Sequence, residues 1–438
     1  MRIITSSAVL LTAIAAVVWQ SQPVEGQAKP VVRLQGNITS NQTLTANNDY
    51  LLVGAVFIRP PATLTIEAGT TIYGEQATNG TLIIARGARI EAEGTRTRPI
   101  VLTSDQEPGT RARGDWGGLI INGFAPLNLP GGTALGEGDT GRYGGNRPND
   151  NSGTLRFVRV EFAGTEFSPD NELNGIAFQG VGSQTTAEFI QVHFNKDDGI
   201  EFFGGTVNLR FALVTFTADD SYDWTDGWTG KGQFWIAHQR GDDADNGFES
   251  DNNAENNNLS PRSNPTIYNI TLLGDPTTRA GSESDDGLLL RAGTGGTIAN
   301  AIVMGFKESG VNFDDAATFT QGGNGTLQIM SSIFFRNSPN FSTDASDTPR
   351  PPVTTATLVQ SQMPNNRVVN PRIRVPFNYR NPDYRPRGGN NPSAAVDGRV
   401  RVAVPPNDGF FQAVTFIGAM GPEEADDWTD GWTTYEQN

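Results

Sequence analysis

The stretch NKDDGIEFFGGTVNLRFALVTFTADDSYDWTDGWTGK, residues 195–231, contains the unit to which the chain keeps returning. An apolar run leads into a cluster of aspartates, then a glycine, then a short run of alternating apolar residues. Echoes of this corner occur as NGIAF (174–178), DGIEF (198–202), DGWTG (226–230), NGFES (246–250), DGLLL (286–290) and SGVNF (309–313). Their glycines are Gly175, Gly199, Gly227, Gly247, Gly287 and Gly310, separated by 24, 28, 20, 40 and 23 residues. A recurrence of roughly 20–30 residues with strand-like content marks a solenoid whose coils stack on one another. The 40-residue interval contains the Asn-rich run DNNAENNNLSPRSNP (251–265), which reads as a loop inserted from one coil.

Working outward, LTIEAGTTIYG (64–74), LIIARGARIEAEG (82–94) and PIVLTS (99–104) alternate apolar and polar residues between glycine and threonine breaks. Leu64/Ile66 and Leu82/Ile84 place aliphatics at period two, so one side of each short strand points inward. Parallel stacking at about 4.8 Å then piles these residues into one continuous core. The 51 glycines among 438 residues, and the lack of a long stretch with helical apolar spacing, agree with many short strands joined by tight turns. The expected fold class is all-β, a parallel β-helix with long loop insertions and a C-terminal closing segment.

Further residues carry a resemblance. GTRTRPIVLTSDQEPGTRARGDWGGLIINGFAP (94–126), GTLRFVRVEFAGTEFSPDNELNG (153–175), DDGIEFFGGTV and DGWTGKGQFW are similar to exported bacterial right-handed parallel β-helix repeat proteins. The similarity runs from about Val31 to Phe335 and returns in DGFFQAVTFIGAM (408–420) and DWTDGWT (427–433). It implies the right-handed solenoid and an exported setting, and brings no activity with it.

Residues 1–28 read as a secretory signal: Arg2 is the positive end, residues 8–18 form an apolar stretch too short to span a bilayer, and Gly26-Gln27-Ala28 is a cleavage site. The expected units are this signal, a β-helix over 29–336, an irregular Pro/Arg-rich segment over 337–407 and a closing segment over 408–438. The Pro/Arg-rich segment is expected either to run along the solenoid with its arginines on the acidic coils or to be a solvated linker. No second stretch is apolar enough to span a membrane, and the absence of cysteine excludes disulfides and thiolate sites. The net charge of −16 argues against nucleic acid or anionic membranes as partners. The expected location is the periplasm, the cell surface or outside the cell.

DWTDGWT at 427–433 repeats 223–229 residue for residue. A tail with two tryptophans is suited to covering the open end of a solenoid. The sharper reading makes tryptophans platforms for sugar rings, with Trp224, Trp228 and Trp235 as candidates. The glycine-rich loop 127–151 lacks periodicity, and a loop of that length in a compact domain is usually functional.

The residues preceding the repeated glycines, Asn174, Asp198, Asp226, Asn246, Asp286 and Ser309, suit corners stacked as a ladder. Gly199 is expected to hold a backbone conformation closed to β-branched residues. Turn chemistry leaves the surrounding acid unexplained. Asp197, Asp198, Glu201, Asp219, Asp220, Asp223, Asp226, Asp245, Glu249 and Asp251 would gather along one edge, together with Asp242, Asp243, Asp285 and Asp286. Stacked carboxylates repel unless a cation sits among them, and Ca²⁺ suits oxygen ligands in irregular geometry. The spacing is not that of an EF-hand, since alanine occupies the third ligand position of DDADNG (242–247).

His193 and His238 lie in strand-like runs, and with no G-x-S-x-G present they read as structural. Two function classes follow. The preferred one is a non-catalytic module that binds glycans or envelope components. The alternative is a calcium-dependent polysaccharide lyase or glycoside hydrolase, with Lys196, Lys231 or Arg240 as base or Asp198 and Asp220 as an acid–base pair. A basic residue beside the acids in an open groove would favour the enzyme.

Overall fold

The computed structural model describes residues 29–168, 171–277, 283–343, 353–387 and 401–438, so the signal segment lies outside the described residues. Twenty-five strands join in one sheet whose ladders are all parallel, and it winds into three faces. On the first face, Thr81–Ile84, Gly118–Asn122, Ile176–Gln179, Ile200–Phe203, Tyr222–Thr225, Phe248–Asp251 and Leu288–Arg291 pair successively. The other two faces share long strands, among them Gly153–Glu161, Thr186–His193, Asn208–Thr215, Lys231–His238 and Thr266–Leu273. The chain is an all-β parallel β-helix.

Each long strand bends at its middle on a residue in the left-handed region: Phe157 (φ 48°), Phe189 (55°), Phe211 (55°), Phe234 (60°) and Asn269 (58°). Phenylalanine rarely adopts this conformation. Here the bend throws each ring outward onto its neighbour, with successive centroids 4.5, 4.4 and 4.9 Å apart. The tail covers this aromatic stack. Trp432 meets Phe157 edge-on at 5.6 Å and Trp428 meets Phe211 at 5.6 Å. DWTDGWT therefore docks on the flank of the solenoid, not on its end. The C-terminal end is closed by Leu358, Val359 and Met363, all buried in the main core.

Alternation on the first face sends Ile176, Ile200, Tyr222, Phe248 and Leu288 inward, followed by Phe178, Phe202, Trp224 and Leu290. This corrects the expected sugar platforms. Trp224, Trp228 and Trp235 are each 0 % exposed, with Trp228 stacked on Phe202 at 4.1 Å and Trp235 on Tyr222 at 4.7 Å. Their indole N–H groups donate to Thr294 Oγ1, the Val207 carbonyl and the Leu209 carbonyl.

The register also corrects the repeat. Tyr222 pairs with Ile200, so Ser221 stands at the position of Gly199 and Asp220, not Asp226, at that of Asp198. Gly199 lies outside the left-handed region and is required for a different reason. A Cβ there would meet Val214 Cγ1 at 2.4 Å and the Ser221 carbonyl at 2.6 Å. The long interval after Gly247 contains two excursions, one between Asp251 and Thr266 and one between Leu273 and Leu288. The Pro/Arg-rich segment adds Arg367–Val368 to the sheet against Ile333–Phe335. Arg374 and Arg385 pair with Asp383 of their own segment rather than with the acidic coils. No described helix is long and apolar enough to cross a membrane.

Candidate metal centre

The acidic site is built by the first face and the corner that leads into it. Glu201, Asp223 and Glu249 occupy one outward register position on three successive strands. Parallel pairing therefore holds them at about the 4.8 Å coil spacing. Three residues earlier, the corner residues form a ladder across the coils. Asp198 Oδ1 accepts from the Asp220 N–H at 3.1 Å, Asp220 Oδ1 from the Asn246 N–H at 2.6 Å, and Asn246 Oδ1 from the Asp286 N–H at 3.1 Å. One oxygen of each of these aspartates thus carries a coil-to-coil hydrogen bond. Asp197, Asp219 and Asp245 precede the ladder by one residue on each coil.

Two hairpins complete the enclosure. Ala134–Gly136 with Gly141–Tyr143, and Glu166–Ser168 with Asn171–Glu172, bring Glu137 and Glu172 to the same place. The result is a cleft of about 330 Å³ lined by Glu137, Glu172, Asp197, Asp198, Glu201, Asp219, Asp220, Asp223, Asp245 and Glu249. Every lining residue is a carboxylate. Eight of the ten ligand candidates from the sequence are present.

Asp226 and Asp251 are not. Asp226 sits at the next corner with φ 56° and accepts from Asn253 Nδ2 at 3.3 Å. Asp251 is paired with Arg291 Nε at 2.8 Å. Arg291 also reaches Glu249, closing one end of the acidic row. Outside the cleft, Asp242 pairs with Arg113 and Arg240, and Asp286 accepts from Ser309 and Asn312.

Burial and mutual repulsion push these carboxyls upward. Asp197 rises to about 7, through burial first and then Glu137 and Glu172. Asp219, Asp245 and Glu137 rise to about 6, burial again leading. Glu249 reaches about 7 although Arg291 opposes the rise. Asp198, Asp220, Glu201 and Asp223 are held well above the carboxylate range, chiefly by burial. In a site without a counter-charge the most deeply buried of these acids, Asp198, Asp220, Glu201 and Asp223, retain protons near neutrality.

The donor set fits a hard divalent cation. Oxygens of Asp197, Asp198 and Asp219 lie within 4.8 Å of one another, and the same holds for Asp198, Glu201 and Asp223 and for Asp219, Asp220 and Asp245. Asn174, 1 % exposed, donates from Nδ2 to Glu201 Oε2 at 2.5 Å, while its Oδ1 has no partner. Asp223 Oδ1, also buried, has none either. Orphaned oxygens of this kind are expected where a cation or ordered water belongs.

The candidate bases are scattered. Lys231 is bound to Asp408 at 2.5 Å and Arg240 to Asp242 at 3.2 Å, both away from the cleft. Lys196 lies beside it but is held by Glu166 at 2.5 Å. Asp198 and Asp220 are adjacent rungs, 7 % and 4 % exposed, and each already supports the next coil. His193 is buried and neutral, with Nδ1 2.7 Å from Thr215 Oγ1 and Nε2 2.7 Å from the Glu436 carbonyl. Burial likewise lowers His238 to about 3.

Glu137 and Glu172 escaped sequence reasoning because the repeat unit does not contain them. The only signal was the irregularity of loop 127–151, from which Glu137 comes. The sequence profile of a family described as a pectate-lyase-like beta helix domain matches residues 36–368. No curated protein and no solved structure matches the chain.

Proposed function

The chain belongs to the family of pectate-lyase-like β-helix domains, and on that premise we propose that it is an exported, non-catalytic polysaccharide-binding module carrying calcium in its acidic cleft. Its partners are glycans or other envelope components. The observation that supports this reading is the cleft itself, where ten carboxylates converge with no lysine or arginine among the lining residues. A lyase would need a base beside the cation, and a hydrolase would need a carboxyl pair free to exchange protons with substrate. Lys196, Lys231 and Arg240 are engaged elsewhere, and Asp198 and Asp220 serve the ladder.

Calcium would be held by Asp197, Asp198, Glu201, Asp219, Asp220, Asp223, Asp245 and Glu249, with Glu137 and Glu172 from the hairpins. Bound there it supplies charge neutralisation, which lets the coils and hairpins close over one another. The test is calorimetric titration of metal-stripped mature protein with calcium, followed by a panel of acidic and neutral polysaccharides with and without the ion. The reading expects calcium binding and glycan binding without chain cleavage. Cleavage products that require calcium would replace the module with the enzyme, and failure to bind calcium would remove the metal.

A further inference from the structure

We propose that the cleft holds a row of cations bridged by shared carboxylates, with Asp198 and Asp219 as the bridging ligands. This rests on the cleft being a cation site, and its test separates the two claims.

The geometry points to it through overlap. Three sets of carboxylate oxygens each converge within 4.8 Å: Asp198, Glu201 and Asp223; Asp197, Asp198 and Asp219; Asp219, Asp220 and Asp245. A calcium ion with oxygen ligands at about 2.3–2.6 Å fits within any one of them. Asp198 belongs to the first and second sets, and Asp219 to the second and third. The first two sets lie side by side between the same pair of coils and the third lies between the next pair, so the positions are contiguous and neighbours share one carboxylate. Each carboxylate oxygen carries two lone pairs, so Asp198 can accept from the Asp220 N–H at Oδ1 and still bridge two ions, the arrangement in which paired metals stand roughly 3.5–4 Å apart.

Charge leads the same way. Ten carboxylates line the cleft, and the guanidinium of Arg291 at one end is occupied by Glu249 and Asp251. A single divalent ion would leave most of that charge uncompensated in a half-buried space. An independent observation marks the opposite end of the row. Asn174 is 1 % exposed, its amide is turned onto Glu201, and its Oδ1 has no donor. Asp223 Oδ1, in the same set as Glu201, is also without a partner. Asn174 thus brings a buried, unpaired oxygen against the carboxylate that serves the Asp198, Glu201 and Asp223 position.

The solenoid repeat accounts for the row. Two successive coils contribute an aspartate pair at the corner and a carboxylate three residues later, Asp197-Asp198 with Glu201 and Asp219-Asp220 with Asp223, and the next coil contributes Asp245 and Glu249. Stacking the coils turns one ligand set into several that overlap.

The experiment counts calcium equivalents by calorimetry and elemental analysis on the metal-stripped full chain, its Asp219→Asn variant and its Glu201→Gln variant. Asp219 lies outside the hydrogen-bonded ladder and both substitutions preserve shape, so circular dichroism in chelator should match the parent and serves as the folding control. The expected result is two or more equivalents for the parent, with Asp219→Asn losing more equivalents than Glu201→Gln because it sits in two sets instead of one. A parent that binds one equivalent, or two variants that lose the same number, overturns the bridged row while the single-site reading stands. No binding at all would remove both.

Discussion

Removing the cation should invert the usual effect of pH on stability. In metal-free protein Asp197 titrates near 7 instead of its ordinary 3.8, which penalises its charged form by roughly 4 kcal/mol at 1.36 kcal/mol per pH decade. The folded state then binds more protons than the unfolded chain, so stability is present at acid pH and lost as pH rises through the folded value. For Asp197 alone, about 2.5 kcal/mol of this falls between pH 5 and pH 8, and Asp219, Asp245 and Glu249 act in the same direction. For a chain of this length the expected drop in melting temperature is of order 5 °C.

Calcium reverses the sign, since it binds the ionised carboxylates of the folded state. At about a hundred times its dissociation constant it should add about 2.7 kcal/mol, and this gain disappears on acidification as protons compete for the same oxygens. The assay is thermal unfolding from pH 5 to pH 8 in chelator and in calcium, with Asp197→Asn as control, which should flatten the chelator profile. A metal-free melting temperature that stays level or rises with pH would refute the reasoning, as would identical curves with and without calcium at pH 8.

Other outcomes follow from particular contacts. Calcium titrated into the stripped protein near pH 7 should release protons, visible as a binding heat that changes with the ionisation enthalpy of the buffer. Gly199→Ala should destabilise by about 1–3 kcal/mol through overpacking against Val214 and the Ser221 carbonyl, whereas Asp198→Asn should be milder in chelator; denaturant unfolding of both compares them. Trp432→Ala uncovers the Phe157 and Phe189 rings and should cost about 3–5 kcal/mol, read by the same unfolding curves. Magnesium should protect less than calcium, because it requires a tighter octahedral shell, and melting in either ion checks this.

The coil was legible in the sequence because period-two aliphatics and recurring corners describe the same object at two scales. The corner was legible only where its glycine persisted. At Ser221 the glycine is replaced, and the nearby Asp226-Gly227 imitates the motif one corner further on, which displaced Asp226 into the ladder and Asp220 out of it. The tryptophans misled for a related reason, since DWTDGWT at 223–229 alternates across a strand that faces the core, while its copy at 427–433 lies outside on a ring stack. Nothing in residue order relates Glu137 to Asp197. Their encounter depends on a hairpin folding back over the face, a tertiary event that periodicity does not encode. The acidic row itself was visible as surplus charge, because no turn requires so many carboxylates.

The measurement that bears most directly on the account is anomalous diffraction from crystals of the mature protein grown with calcium. Anomalous density is expected in the cleft, at oxygen-ligand distance from Asp198, Glu201, Asp219 and Asp223. A well-ordered cleft that shows water and no anomalous signal would contradict it.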